Sequence, residues 1–118
     1  MADTTSADAP TATEAELAVA RLAAMGDHVR GCVVLDPGGE PLAASGELDR
    51  WREAGRALLA AADVAAGEPA TQAHVGTEDG EVFGVRVDGY AIVAASDRFA
   101  LASLMFSDIR AVLRDLVR

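Results

Sequence analysis

Apolar and polar positions along the chain change period several times, and each change marks an element. From residue 14 the spacing is helical, with Ala18, Leu22, Met25 and Val29 on one seam. Thr13 followed by Glu16 has the spacing of a capping box, so the first helix is expected to begin there and to end at Gly31. The run CVVL at 32–35 is short and β-branched, which predicts a strand, and PLAAS at 41–45 predicts its neighbour. Residues 47–65 return to helical spacing: Leu48, Trp51, Leu58, Leu59 and Ala62 share one face, and Asp49, Arg52, Glu53, Arg56 and Asp63 lie on the charged side. Three alternating stretches follow at about 70–77, 81–87 and 90–95, joined by Asp79-Gly80 and Asp88-Gly89, dipeptides that favour type I′ hairpin turns. A last helix, capped by Ser96 or Asp97, carries Leu101, Met105, Ile109, Val112 and Leu116 toward a sheet. Phe99, Phe106, Leu113 and Val117 widen that stripe beyond what one sheet face needs.

Between the first two strands stands Asp36-Pro37-Gly38-Gly39, which invites comparison with a phosphate-binding loop. Such a loop continues with Lys and Ser or Thr at the start of a helix, whereas here Glu40 and Pro41 follow and a carboxylate repels phosphate. Asp at the first position, Pro presetting φ and Gly free to adopt positive φ make a hairpin turn instead. Along the middle helix Ala54, Ala57, Ala61 and Val64 form a third stripe, small enough for another helix to approach closely. Alanine is also simply a good helix former, so the stripe by itself leaves both readings open.

Composition narrows the function classes. The 118 residues suffice for one domain, expected over 14–118, behind a disordered acidic tail at 1–13 that has no large apolar side chain beyond the first Met. A formal charge of −9 argues against binding to nucleic acid or anionic lipid. No apolar run approaches a membrane span, and the N-terminus lacks a signal-peptide pattern, so no membrane insertion and a cytoplasmic protein are expected. All ten basic residues are Arg, and Ala is abundant throughout, which fits GC-rich coding.

Candidate chemistry is sparse. His28 and His74 are the only histidines and lack metal-site spacing, so no metal and no cofactor are expected. Ser45 lacks a nucleophile elbow, and Cys32 opens an apolar strand where a small buried thiol is the usual occupant. Glu78-Asp79-Gly80-Glu81 begins like a calcium loop but lacks the remaining ligands. Trp51, the sole tryptophan, suits either the core or an interface anchor. No catalytic residue is assigned, and a hydrolase or transferase is the least favoured class.

The order helix, two strands, helix, three strands, helix, with VRGCVVLDPGGEPLAASGE at its front and YAIVAA in its last strand, resembles the Roadblock family. These are dynein-light-chain type domains that include bacterial regulators of Ras-like GTPases. The resemblance covers residues 14–117. It implies an α+β, profilin-like fold: a five-stranded antiparallel sheet with the middle helix on one face and the terminal helices on the other. It further implies a homodimer in which middle helices pair and third strands join edge to edge. Ala54, Ala57, Ala61 and Val64 would then form the helix seam, and Gln72 and His74 would belong to the joined strands. The function expected is that of a non-enzymatic regulator or scaffold that binds a Ras-like GTPase or another signalling protein, with Arg52 and Arg56 as partner contacts. The alternative is a small-molecule sensor domain of the PAS or profilin-like kind, in which the sheet encloses a ligand.

Overall fold

The computed structural model describes residues 9–26, 28–98 and 100–118. Its elements are α1 (Ala12–Ala24), β1 (Val29–Leu35), β2 (Pro41–Ala44), α2 (Leu48–Ala66), β3 (Gln72–Gly76), β4 (Glu81–Val87), β5 (Tyr90–Ser96) and α3 (Ala102–Val117). The strands form one five-stranded antiparallel sheet in the order β2-β1-β5-β4-β3. Helix α2 covers one face, and α1 and α3 cover the other, as the element order implies.

Alternation along the central strands divides the core in two. Cys32, Val34, Phe83, Val85, Ile92 and Ala94 pack against Ala15, Ala18 and Leu22 of α1 and Met105, Ile109, Val112 and Leu113 of α3. Val33, Leu35, Ala91 and Val93 point the opposite way, under Leu59, Leu58 and Trp51 of α2. Arg21 joins α1 to α3 through Asp115, Nη1 to Oδ2 at 2.5 Å.

Helix α1 begins earlier than the Thr13–Glu16 pair implied. Thr11 is the N-cap: its hydroxyl accepts from the Glu14 amide at 3.1 Å, and the Glu14 carboxylate accepts from the Thr11 amide at 2.9 Å. Both pairs satisfy the same template; the earlier start brings Ala15 into the buried seam. The helix leaves its path at Met25, which is exposed, so Val29 and Gly31 belong to β1 rather than to the helix. The tail expected at 1–13 falls mostly on residues 1–8, which lie outside the described residues.

Asp36 builds the β1–β2 turn, its carboxylate accepting from the amides of Gly38 at 2.9 Å and Glu40 at 3.0 Å, while Gly39 adopts φ 82°. The hairpin reading of DPGG is therefore the structure found. Asp88 (φ 53°) and Gly89 (φ 86°) are both left-handed, as a type I′ turn requires. The Asp79-Gly80 link is different: Gly80 has no positive φ, and Thr77 organises the turn by accepting from the amides of Asp79 and Gly80 and donating to the Gly80 carbonyl.

Neither Ser96 nor Asp97 caps α3. Ser96 ends β5, Asp97 takes the Arg30 guanidinium at 2.5 Å, and the N-cap is Leu101, whose side chain is exposed. Phe99 lies outside the described residues.

The fit of α2 onto the sheet depends on Gly31, because a Cβ there would collide with the six-membered ring of Trp51. Gly31→Ala should therefore push the indole off β1 and destabilise the fold by ~1–3 kcal/mol, the range for overpacking. Denaturant unfolding followed by Trp51 fluorescence measures both effects, since a displaced indole also shifts the folded-state emission.

Candidate functional site

With no catalytic constellation predicted, the surface between α2 and β3 is the place to examine. Helix α2 turns Gly55 and Leu59 into the core, with Trp51, Leu58 and Ala62 partly buried around them. Leu48, expected on that face, is exposed at the first residue of the helix. Ala54 and Ala61 lie exposed on the flank toward β3, and Ala57 and Val64 are exposed farther round the helix, Val64 being 84% accessible. An isolated valine that open is unremarkable; one in line with three exposed alanines makes a continuous apolar strip.

Two open grooves run along this strip. One, of about 660 Å³, lies beside the N-terminal half of α2 and is lined by Trp51, Ala54, Leu58, Val75 and Val82, with Glu47 and Arg50 at its rim. The other, of about 500 Å³, lies beside the C-terminal half, between Ala61, Ala62 and Ala65 of α2 and Ala73 of β3. Leu58 and Val75 line both, so the grooves meet at the middle of the helix. The linker beneath is held firmly. Asp63 receives the Arg86 guanidinium at 2.7 and 3.1 Å and the Ala70 amide at 2.8 Å, and these bonds hold its carboxyl below the ordinary range. Gly67, left-handed at φ 75°, closes the helix.

Strand β3 is an edge of the sheet, and its outer side has no strand partner. Gln72 and His74 are on this strand, but their side chains point to the α1–α3 face. Gln72 accepts from Arg110 of α3 at 2.6 Å; His74 meets Glu81 at 2.6 Å and stacks on Phe83, ring centroids 4.4 Å apart. The β3 side chains facing α2 are Ala73 and Val75, which the sequence reading did not single out; the alternation in QAHVG carried that signal. Arg52 and Arg56 sit on the opposite flank of α2 from the alanine strip, each 3.6 Å from Glu40 of the β1–β2 turn.

The remaining candidates are engaged in structure. Ser45 accepts from the Cys32 amide at 2.8 Å, which ties β2 to β1. Burial pushes the Cys32 thiol up to about 11, against a smaller opposing effect of a side-chain hydrogen bond with Ser45, so the folded chain holds that proton more tightly than the unfolded chain does. Stability should therefore be full below pH 9 and fall by ~2–3 kcal/mol as pH rises through 11. Denaturant midpoints at pH 8 and 10.5 for the wild type and Cys32→Ala measure this; the thiol's share of the slope is absent from the variant. Among the described residues no cluster of three or more His, Cys, Asp or Glu side chains could hold a metal ion. Among them, too, no helix is long and apolar enough to cross a membrane.

Comparison with known proteins gives the fold a family. No protein-family model matches the sequence, and no curated protein does either. Solved structures do match. A Roadblock/LC7 domain from Streptomyces avermitilis superposes with a TM-score of 0.71 at 15% identity, over 85% of this chain and 92% of that one. The gliding protein MglB from Thermus thermophilus gives 0.72 at 15% identity, over 90% and 87%. MglB from Myxococcus xanthus gives 0.68 at 12%, over 90% and 86%. The fold is that of Roadblock/LC7 domains.

Proposed function

We propose that the chain is a non-enzymatic homodimeric regulator or scaffold that binds a Ras-like small GTPase or another signalling protein. The observation that carries this reading is the exposed α2–β3 face: an apolar strip of Ala54, Ala57, Ala61 and Val64 beside an unpaired strand edge, on a fold shared with MglB. A second copy covers both at once. Another matching structure is described as MglB with a tetrameric arrangement, at 16% identity and a TM-score of 0.63, which lends weight to self-association here.

Once the strip is covered, Arg52 and Arg56 remain on the outer flank of each α2, with Arg52 38% and Arg56 52% exposed. They are the residues proposed to meet a partner; exchanging Glu40 for a partner carboxylate changes little within the chain, because exposed ion pairs are weak. The test is titration of the purified protein against a Ras-like GTPase loaded with GDP or a non-hydrolysable GTP analogue. Saturable binding that prefers one nucleotide state, weakened by Arg52→Ala with Arg56→Ala, is expected. Absence of binding in either state sinks the GTPase part of the reading.

The sensor alternative has one observation in its favour, the 660 Å³ groove beside Trp51, which falls in the size range of ligand sites. Native mass spectrometry of the purified protein separates the two readings: the sensor predicts a co-purified small molecule, and the dimer predicts twice the chain mass alone.

A further inference from the structure

The layer opposite α2 carries an apolar patch of its own. The C-terminal end of α1 meets the start of α3 there, and Met25, Leu101 and Leu104 stand exposed around the junction, Leu101 by 66% and Leu104 by 50%. They line a pocket of about 240 Å³ together with Leu22 and Met105, which are buried and close it from below. A single exposed leucine is ordinary, but three large apolar side chains around one concavity make a patch of the kind that marks an interaction site. A cavity of ~150 Å³ already encloses a benzene ring, so this one takes one large side chain, and the exposed residues around it meet whatever carries that side chain.

Helix stability is given up to keep the patch. Leu101 is the N-cap of α3, it makes no side-chain capping bond, and no acid stands in the first turn. Leucine is among the poorest N-cap residues, and a local rule broken with no local gain points to a functional surface. Met25 and Met105 supply unbranched, polarisable side chains that adapt to an irregular occupant. Charge says which occupant fits. Asp108 lines the same pocket half-buried, and among the described residues no side chain, His28 of the lining included, gives its carboxylate a hydrogen bond or an ion pair. A cation brought by a partner satisfies it, and the net charge of −9 draws basic segments toward the chain.

We infer that the pocket between the end of α1 and the start of α3 docks a segment of a partner protein that inserts one large apolar side chain and sets a Lys or Arg, about one helical turn away, against Asp108. This goes beyond the reading above and does not depend on it. The alanine strip, Arg52 and Arg56 all belong to α2, on the other face of the sheet, so the pocket stays open while a second copy or a GTPase is held there.

Dye-labelled helical peptides of about 15 residues, made of Ala and Lys with a single Trp, Phe or Leu, test the pocket by fluorescence anisotropy. At least one should bind saturably, one peptide per chain, and the same peptide with Glu for Lys should not. Leu104→Glu should weaken binding tenfold or more, although it makes the protein more acidic and places a glutamate at the third position of α3, where it favours the helix. Asp108→Asn should weaken binding about threefold. Leu48→Glu, which adds the same charge at an exposed leucine of α2, should leave it unchanged. No saturable binding by any basic peptide, equal binding of the acidic one, or equal loss in Leu104→Glu and Leu48→Glu overturns the docking site. Sedimentation of the same samples reports the homodimer separately: a wild-type dimer that Leu104→Glu splits shows a second copy in the pocket and overturns the proposed partner, whereas a wild-type monomer that still binds the basic peptide leaves this site standing and removes the homodimer.

Discussion

Ala61→Glu should convert the protein to a monomer at concentrations where the wild type sediments as a dimer. In the proposed dimer Ala61 lies within the apolar strip that a second copy covers, where a glutamate meets an apolar partner surface and no cation. Burying an unpaired carboxylate costs several kcal/mol, so the dissociation constant should rise by ~100-fold or more. The substitution is harmless to the isolated chain, because Ala61 is exposed on α2 and Glu favours helix. Circular dichroism should therefore show an unchanged folded spectrum. Arg52→Ala, on the other flank of the same helix, is the control: it should leave the dimer intact and affect only partner binding. If Ala61→Glu sediments as the wild type does, the alanine strip is a product of composition and not a seam.

How much of this surface was legible in the sequence depends on which physical signal each residue carries. Turns were legible where a backbone angle demands a residue type: Asp88-Gly89 takes two positive φ values, and DPGG closes on the Asp36 carboxylate. Asp79-Gly80 has the same dipeptide signal, yet there a side chain, Thr77, supplies the bonds that a positive φ would otherwise have arranged. Helical period located the buried faces but not where the sheet beneath them ends. Leu48 and Leu101 fit the apolar stripes and still emerge exposed, one at the first helical residue and the other just before it.

The candidate site was legible as a strip but not as a groove. Ala54, Ala57, Ala61 and Val64 stand out at helical spacing, whereas the contribution of β3 turns on strand parity. QAHVG presents Ala73 and Val75 to α2 and sends Gln72 and His74 to the other face, and a shift of one residue in the expected strand start exchanges the two sets. Gly31 gave no local sign of its role. It stands 20 positions before the tryptophan that covers it, so the constraint is wholly tertiary.

Phe83→Ala should be the most damaging single change to the folded chain. Phe83 is fully buried and is the largest of the wholly enclosed side chains. Its ring meets Phe106 of α3 edge-on at 5.3 Å and lies parallel to His74 of β3 at 4.4 Å, so it joins the helical layer to the edge strand. Truncation leaves a cavity that neighbours on a fixed sheet cannot close, which costs ~3–5 kcal/mol, a large part of the ~5–15 kcal/mol that holds a domain of this size. The unfolding midpoint should fall by roughly 10–20 °C. Phe83→Leu separates filled volume from ring stacking. It keeps most of the volume and should lose much less stability, but it removes the flat surface on which the His74 imidazole rests. Calorimetry should therefore show a much smaller fall in the unfolding midpoint for Phe83→Leu than for Phe83→Ala. A Phe83→Leu midpoint as low as that of Phe83→Ala would show that the ring contacts with His74 and Phe106, rather than the filled volume, carry the stability.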